Sequence, residues 1–243
     1  DIPTKSIVKT YTLPNPSEVP YVSAYNFFES DKDNLIISSQ FPFGWGTANR
    51  VYTTTDGGTN WNRVPTGNIP APATGEYGVT GYYSAVGSTV WFSTNKSHIM
   101  KSVDYGNTWT SVTVPVATDK QFAIHFRSLN DGIIRMNESP YSAYITHDGG
   151  STWNLISFYG NWYNNDFCYV PGTTSTWVSV GADATTPFMG ISYSTDDGVN
   201  WTDFPSMDTT QHLAVAFADH KTGWSGSFNN YGGDGIFKHY GST

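Results

Sequence analysis

The chain has 243 residues with 24 glycines and 13 prolines, and aromatics reach 16% while charged residues stay at 13%. That is the profile of a turn-rich β protein of one or two domains, long enough to bury a substantial core. A formal charge of −8, with 12 basic residues scattered along the chain, excludes a nucleic-acid surface, which needs clustered Lys and Arg, and suits a soluble extracellular protein.

No apolar run reaches the ~18–20 residues of a membrane helix, so no membrane insertion is expected. Cys168 is the only cysteine, which rules out an intrachain disulfide and a cysteine-rich metal site. It stands in the apolar run N-D-F-C-Y-V-P and reads as a buried, inert thiol. The opening Asp1-Ile2-Pro3 has the look of a processed product. Asn95, Asn137 and Asn200 fit the glycosylation pattern, a spelling common by chance.

In chain order, short runs of alternating apolar residues bounded by Gly, Asn and Asp predict strands and no amphipathic helix. In residues 67–116 the strands are Gly81–Val86, Val90–Thr94, Ile99–Ser102 and Trp109–Val114. Residues 117–158 repeat the order with Ile124–Leu129, Ile133–Met136, Tyr144–Thr146 and Trp153–Phe158. Between the third and fourth strand of each unit stands Ser/Thr-x-Asp-x-Gly-x-x-Trp. It is spelled T-T-D-G-G-T-N-W (Thr54–Trp61), S-V-D-Y-G-N-T-W (Ser102–Trp109), T-H-D-G-G-S-T-W (Thr146–Trp153) and S-T-D-D-G-V-N-W (Ser194–Trp201). The aspartates Asp56, Asp104, Asp148 and Asp196 follow at intervals of 48, 44 and 48 residues, the length of one four-stranded propeller blade.

This arithmetic predicts an all-β, five-bladed β-propeller, a single domain over 1–243, with four-stranded antiparallel blades near 18–66, 67–116, 117–158, 159–206 and 207–243. Gly235–Thr243 matches a third strand and the start of a turn, with His239 at the aspartate position, 43 residues after Asp196. Val8–Pro14 matches Trp109–Pro115 in spacing, so the N-terminal strand (6–14) is expected to complete the last blade and remove two open sheet edges.

The repeat explains itself as a turn. Glycine at the fifth position (Gly58, Gly106, Gly150, Gly198) permits a positive φ; the aspartate and the leading hydroxyl accept backbone N–H bonds; and the tryptophan (Trp61, Trp109, Trp153, Trp201) packs where its strand begins. The spelling resembles the Asp-box, or bacterial neuraminidase repeat, and the resemblance covers nearly the whole chain. It implies a propeller like those of sialidases, sortilin-type receptors, some xyloglucan-cleaving enzymes and a photosystem assembly factor. In that family the Asp-box is a structural turn remote from the functional face, and small secreted bacterial surface proteins use the same style. The resemblance therefore assigns the repeat aspartates to structure, and the spacing of a calcium loop is not matched.

Candidate ligand residues belong to the blade end opposite those turns. The segments there carry Tyr21, Tyr25, Phe43-Gly44-Trp45, Glu76-Tyr77, Tyr82-Tyr83, Trp162-Tyr163-Asn164-Asn165-Asp166, Gln211-His212 and Asn229-Asn230-Tyr231. Aromatic faces beside amides and carboxylates suit sugar rings, although the same residues can fill blade interfaces. The set chosen as ligand-binding is Trp45, Tyr77, Tyr82, His125, Trp162, Tyr163, Asp166 and His212.

The resemblance to sialidases also prompts a search for three carboxylate-binding arginines, and it fails. Only Arg50, Arg63, Arg127 and Arg135 exist; Arg63 sits on an outer strand, Arg127 and Arg135 share one blade, and the Arg-Ile-Pro signature is absent. Other hydrolysis needs two facing carboxylates. Glu76, Asp119, Glu138 and Asp166 are candidates by position only. His125 and His212, with Asp166, are a conceivable but not an expected metal set. The reading is a secreted or surface-exposed monomeric binding propeller without catalytic residues, cofactor or metal, with carbohydrate or a surface protein as its partner. A glycoside hydrolase and a protein-assembly propeller are the alternatives.

Overall fold

A computed structural model describes residues 23–29, 35–40, 50–117, 119–136, 141–183, 189–204, 211–227 and 235–240. They form two compact units, residues 1–113 and 114–243. Among the described residues the only helical element is a 3-10 turn at Thr66–Asn68.

The first unit holds two antiparallel sheets. One has the order β1 (Ser23–Glu29), β2 (Leu35–Gln40), β3 (Arg50–Thr54), β4 (Asn62–Arg63), and the other β5 (Gly78–Val86), β6 (Thr89–Thr94), β7 (His98–Ser102), β8 (Thr110–Thr113). In both, the spatial order is the chain order, so each connection is a hairpin. Strand β6 is buried along its whole length, with Trp91 fully covered. Val51, Val64, Ile69, Val90, Phe92, Met100 and Trp109 form one cluster, with Phe92 edge-on to Trp109 at 5.2 Å. Each large side chain in such a cluster contributes roughly 1.5–3 kcal/mol by leaving water.

The second unit holds three. Strands β9 (Phe122–Phe126), β10 (Gly132–Met136), β11 (Ala143–Thr146) and β12 (Asn154–Ile156) make one four-stranded meander. Strands β13 (Asp166–Tyr169), β14 (Trp177–Ala182), β15 (Met189–Ser194) and β16 (Thr202–Asp203) make the next. The third has three described strands, β17 (His212–Asp219), β18 (Thr222–Ser227) and β19 (Ile236–Tyr240). The fourth strand expected from residues 6–14 lies outside the described residues. Cys168 is buried among Val170, Val178, Val180, Ile191 and Val215, which pushes its thiol far above the ordinary range.

Two expectations need correction. The predicted strand Ile124–Leu129 stops at Phe126, because the Arg127 and Ser128 N–H groups turn back to the Asp131 carbonyl. His239 does not stand at the aspartate position. It pairs with Gly223 one step in from the hairpin pair Asp219–Thr222, as Ser102 pairs with Val90 one step in from Val86–Thr89. His239 therefore occupies the place of the leading Ser or Thr, two residues earlier than the spelling suggested.

The four repeat turns share one hydrogen-bond pattern. The leading hydroxyl of Thr54, Ser102, Thr146 or Ser194 donates to the aspartate Oδ1 at 2.8 Å. The same oxygen accepts the glycine N–H of Gly58, Gly106, Gly150 or Gly198 at 2.8–3.0 Å. Oδ1 also accepts the N–H four residues on, and Oδ2 takes that residue's side chain. Trp109, Trp153 and Trp201 close their turns by donating Nε1–H to the glycine carbonyl at 2.8, 3.0 and 2.9 Å.

These donors stabilise the ionised carboxylate. Backbone and side-chain bonds from Asn60 hold Asp56 down at about 2, and Thr152 does the same for Asp148. In Asp104 and Asp196 partial burial pushes upward, but the donors outweigh it. The turns are thus strongest at neutral pH and lose this support as pH falls below the ordinary carboxylate range.

Gly198 has φ +84°, and a Cβ there would sit 3.1 Å from Trp162 ring carbons, whereas a Cβ at Gly226 meets nothing within 4 Å. Gly198→Ala is expected to lower stability by about 1–3 kcal/mol, and Gly226→Ala to stay within about 0.5 kcal/mol, in urea unfolding followed by tryptophan fluorescence.

Candidate functional site

Within the sheet β5–β8 the repeat turn lies at the end where Val90 pairs with Ser102, and the opposite end is where Gly78 pairs with Thr94. That opposite end carries the incoming segment 71–77 and the β6–β7 turn 95–97. Asn95 ties the two together: its N–H donates to the Tyr77 carbonyl at 3.0 Å, its Oδ1 accepts the Tyr77 N–H at 2.7 Å, and its Nδ2 donates to the Gly75 carbonyl at 3.1 Å. Glu76 adds a second tie. Its Oε2 accepts the Ala73 N–H at 2.7 Å, and its Oε1 receives the Thr94 hydroxyl at 2.8 Å and lies 2.7 Å from His98 Nδ1. Burial pushes this carboxyl upward, but the bonds from Ala73, Thr94 and His98 together hold it below the ordinary range. Tyr77, next to Glu76 in the chain, and Tyr82 are half-buried, and Tyr83 is more open.

The predicted residues of the second unit are placed differently. Trp162 is 4% exposed and packs against Phe158, Phe167 and Trp201, the last at 4.5 Å between ring centres. The Arg135 guanidinium lies 5.7 Å from the Trp162 ring and donates Nη2–H to its carbonyl at 2.6 Å. Tyr163 is equally buried, and its hydroxyl reaches Asp203 Oδ1 at 3.2 Å. His125 packs edge-on to Trp177 at 5.7 Å, and burial pushes its pKa down to about 4, so it is neutral at physiological pH. His212 is fully buried, with Nδ1 2.9 Å from Ser225 Oγ, which also lies 2.8 Å from His239 Nε2.

Asp166 begins β13 and reaches the neighbouring β17: Oδ2 accepts the Val215 N–H at 3.0 Å and Oδ1 its own strand's Phe167 N–H at 2.9 Å. Burial outweighs those bonds and raises its pKa to about 6. Trp45, Tyr21, Phe43, Gly44, Glu138, Asn229, Asn230 and Tyr231 lie outside the described residues. Among the described residues no group of three or more His, Cys, Asp or Glu side chains could hold a metal.

The structure thus brings Glu76 and Tyr77 together with three residues the sequence reading did not select, Thr94, Asn95 and His98. Glu76 and His98 are 22 positions apart, so no motif spacing connects them. Arg127, rejected above as a sialidase-type arginine, serves a different purpose. It bonds the Thr174 carbonyl at 2.9 Å and the Asp197 carboxylate, which also accepts Trp177 Nε1–H at 3.0 Å.

No protein-family model matches the chain, and no curated protein matches it. Solved structures do. A structure described as YCF48 bound to D1 peptide superposes at a TM-score of 0.58 with 13% identity, over 89% of this chain and 64% of that one. A Niastella koreensis GH74 enzyme gives 0.58 and 18% over 88% of this chain and 29% of its own. The Hadza microbial sialidase gives 0.53 and 12% over 85% and 49%. The chain therefore spans less than two thirds of each of these structures. At such identities the likeness shows the fold: an all-β propeller built of antiparallel sheets.

The raised pKa of Asp166 has a consequence for stability. A folded-state value of about 6 against 3.8 means that its contribution is fully present below about 3.8 and is lost as pH rises through about 6. Asp166→Asn removes that loss. Its stability relative to wild type is expected to rise between about pH 4 and pH 6 and to level off above, in urea titrations across that range; a flat difference contradicts the assignment.

Proposed function

We propose that the chain is a non-catalytic recognition propeller, secreted or displayed at a cell surface, that binds carbohydrate around Tyr77 and Tyr82. The observation that carries this reading is the state of two of the candidate carboxylates. Glu76 is spent on Ala73, Thr94 and His98, and Asp166 on the N–H groups of Val215 and Phe167. Glu76, held below the ordinary carboxylate range by its three donors, is a weak general base, and the same bonds make a rigid frame. Tyr77 follows Glu76 directly and Tyr82 lies on the strand that this segment enters; both are half-buried, and an aromatic side chain with an open face can stack on a sugar. The acidic composition fits an extracellular setting.

A protein ligand is the second reading. One observation favours it: the YCF48 neighbour is described as bound to a peptide. The GH74 and sialidase neighbours keep a hydrolase as the third.

A glycan-array screen of the intact chain distinguishes them. Specific glycan binding is expected, weakened about tenfold or more in Tyr77→Ala or Tyr82→Ala, a loss of at least ~1.4 kcal/mol. Trp162→Ala is a poor probe because that ring is buried and its loss reports folding. Silence across neutral and acidic glycans, together with capture of a D1-type peptide, would sink the carbohydrate reading. Turnover of any glycan would establish the hydrolase.

A further inference from the structure

We propose that Glu76 and His98 form a preset hydrogen-bond acceptor, in which His98 Nε2 receives a hydroxyl of the ligand held beside Tyr77. The inference rests on the carbohydrate reading of the same sheet end and names the polar contact that orients the sugar. Glu76 Oε1 lies 2.7 Å from His98 Nδ1, with the Glu76 side chain 4% exposed and that of His98 27%. An ionised carboxylate can only accept, so the hydrogen of this bond belongs to Nδ1. In the neutral form of the ring the lone pair then lies on Nε2, and a carboxylate behind the imidazole fixes that tautomer and strengthens the acceptor.

The neighbouring polar groups are already committed. Asn95 spends its amide on Gly75 and Tyr77, and the Thr94 hydroxyl donates to Glu76 and accepts the Lys96 N–H. The His98 side chain keeps 27% of its surface exposed, and its Nε2 is the ring nitrogen not engaged with Glu76. A sugar hydroxyl can donate as well as accept, and a fixed acceptor selects the hydroxyl orientation.

The test is long-range 1H–15N NMR of the histidine rings at alkaline pH in the wild type, Glu76→Gln and His98→Phe, with cello-, manno- and galacto-oligosaccharides as probes. The expected result is an Nδ1–H tautomer for His98, mixed in Glu76→Gln, and an Nε2 resonance that moves on oligosaccharide addition. His98→Phe should weaken that binding about tenfold. An Nε2–H tautomer, or undiminished oligosaccharide binding in His98→Phe, overturns the inference and leaves the carbohydrate reading standing. No oligosaccharide binding by the wild type overturns both.

Discussion

Each sheet that carries a complete repeat depends on one clasp, a hydroxyl and a carboxylate that stand seven and five residues before a tryptophan. The hydroxyl of Thr54, Ser102, Thr146 or Ser194 gives its hydrogen to the aspartate and collects the glycine N–H. The aspartate collects the remaining donors of the turn, and the indole closes it in three of the four copies. Most polar groups of a sharp reversal are thus satisfied within it, while the N–H after the aspartate reaches the hairpin of the first two strands, from Tyr105 to Ser88, Gly149 to Asn130 and Asp197 to Ser175. The clasp also lets Trp109 and Trp201 bury almost completely. With one end of the sheet closed in this way, the proposed ligand site is assigned to the other end.

The clasp was legible in the sequence because every bond in it spans four residues or fewer, and the interval between copies exposed the four-stranded unit. Strand positions followed from alternation, with errors confined to ends such as Leu129. The fifth sheet was misaligned by two residues because His239 replaces the leading hydroxyl residue, and only the pairing of Gly223 reveals it.

The site was far less legible. Trp162 stands in an Asn-rich run that reads as a loop, yet Phe158, Phe167 and Trp201 bury it from three separate segments. His125 and His212 read as ligand residues in the sequence, and the contacts they make include Trp177 and Ser225 respectively. Conversely His98 drew no notice. Its partner lies across the β5–β6–β7 meander, and a contact made by sheet register leaves no trace in local spacing.

The account proposes a division of labour between the two ends of the sheet β5–β8, in which the repeat turn holds and the opposite end recognises. Amide hydrogen exchange of the chain with and without a bound oligosaccharide tests it most directly. The account predicts ligand-dependent protection within residues 73–78 and 94–98 and none in the repeat turns at 56–61 and 104–109. Protection concentrated in those turns, with residues 73–98 unchanged, would contradict it.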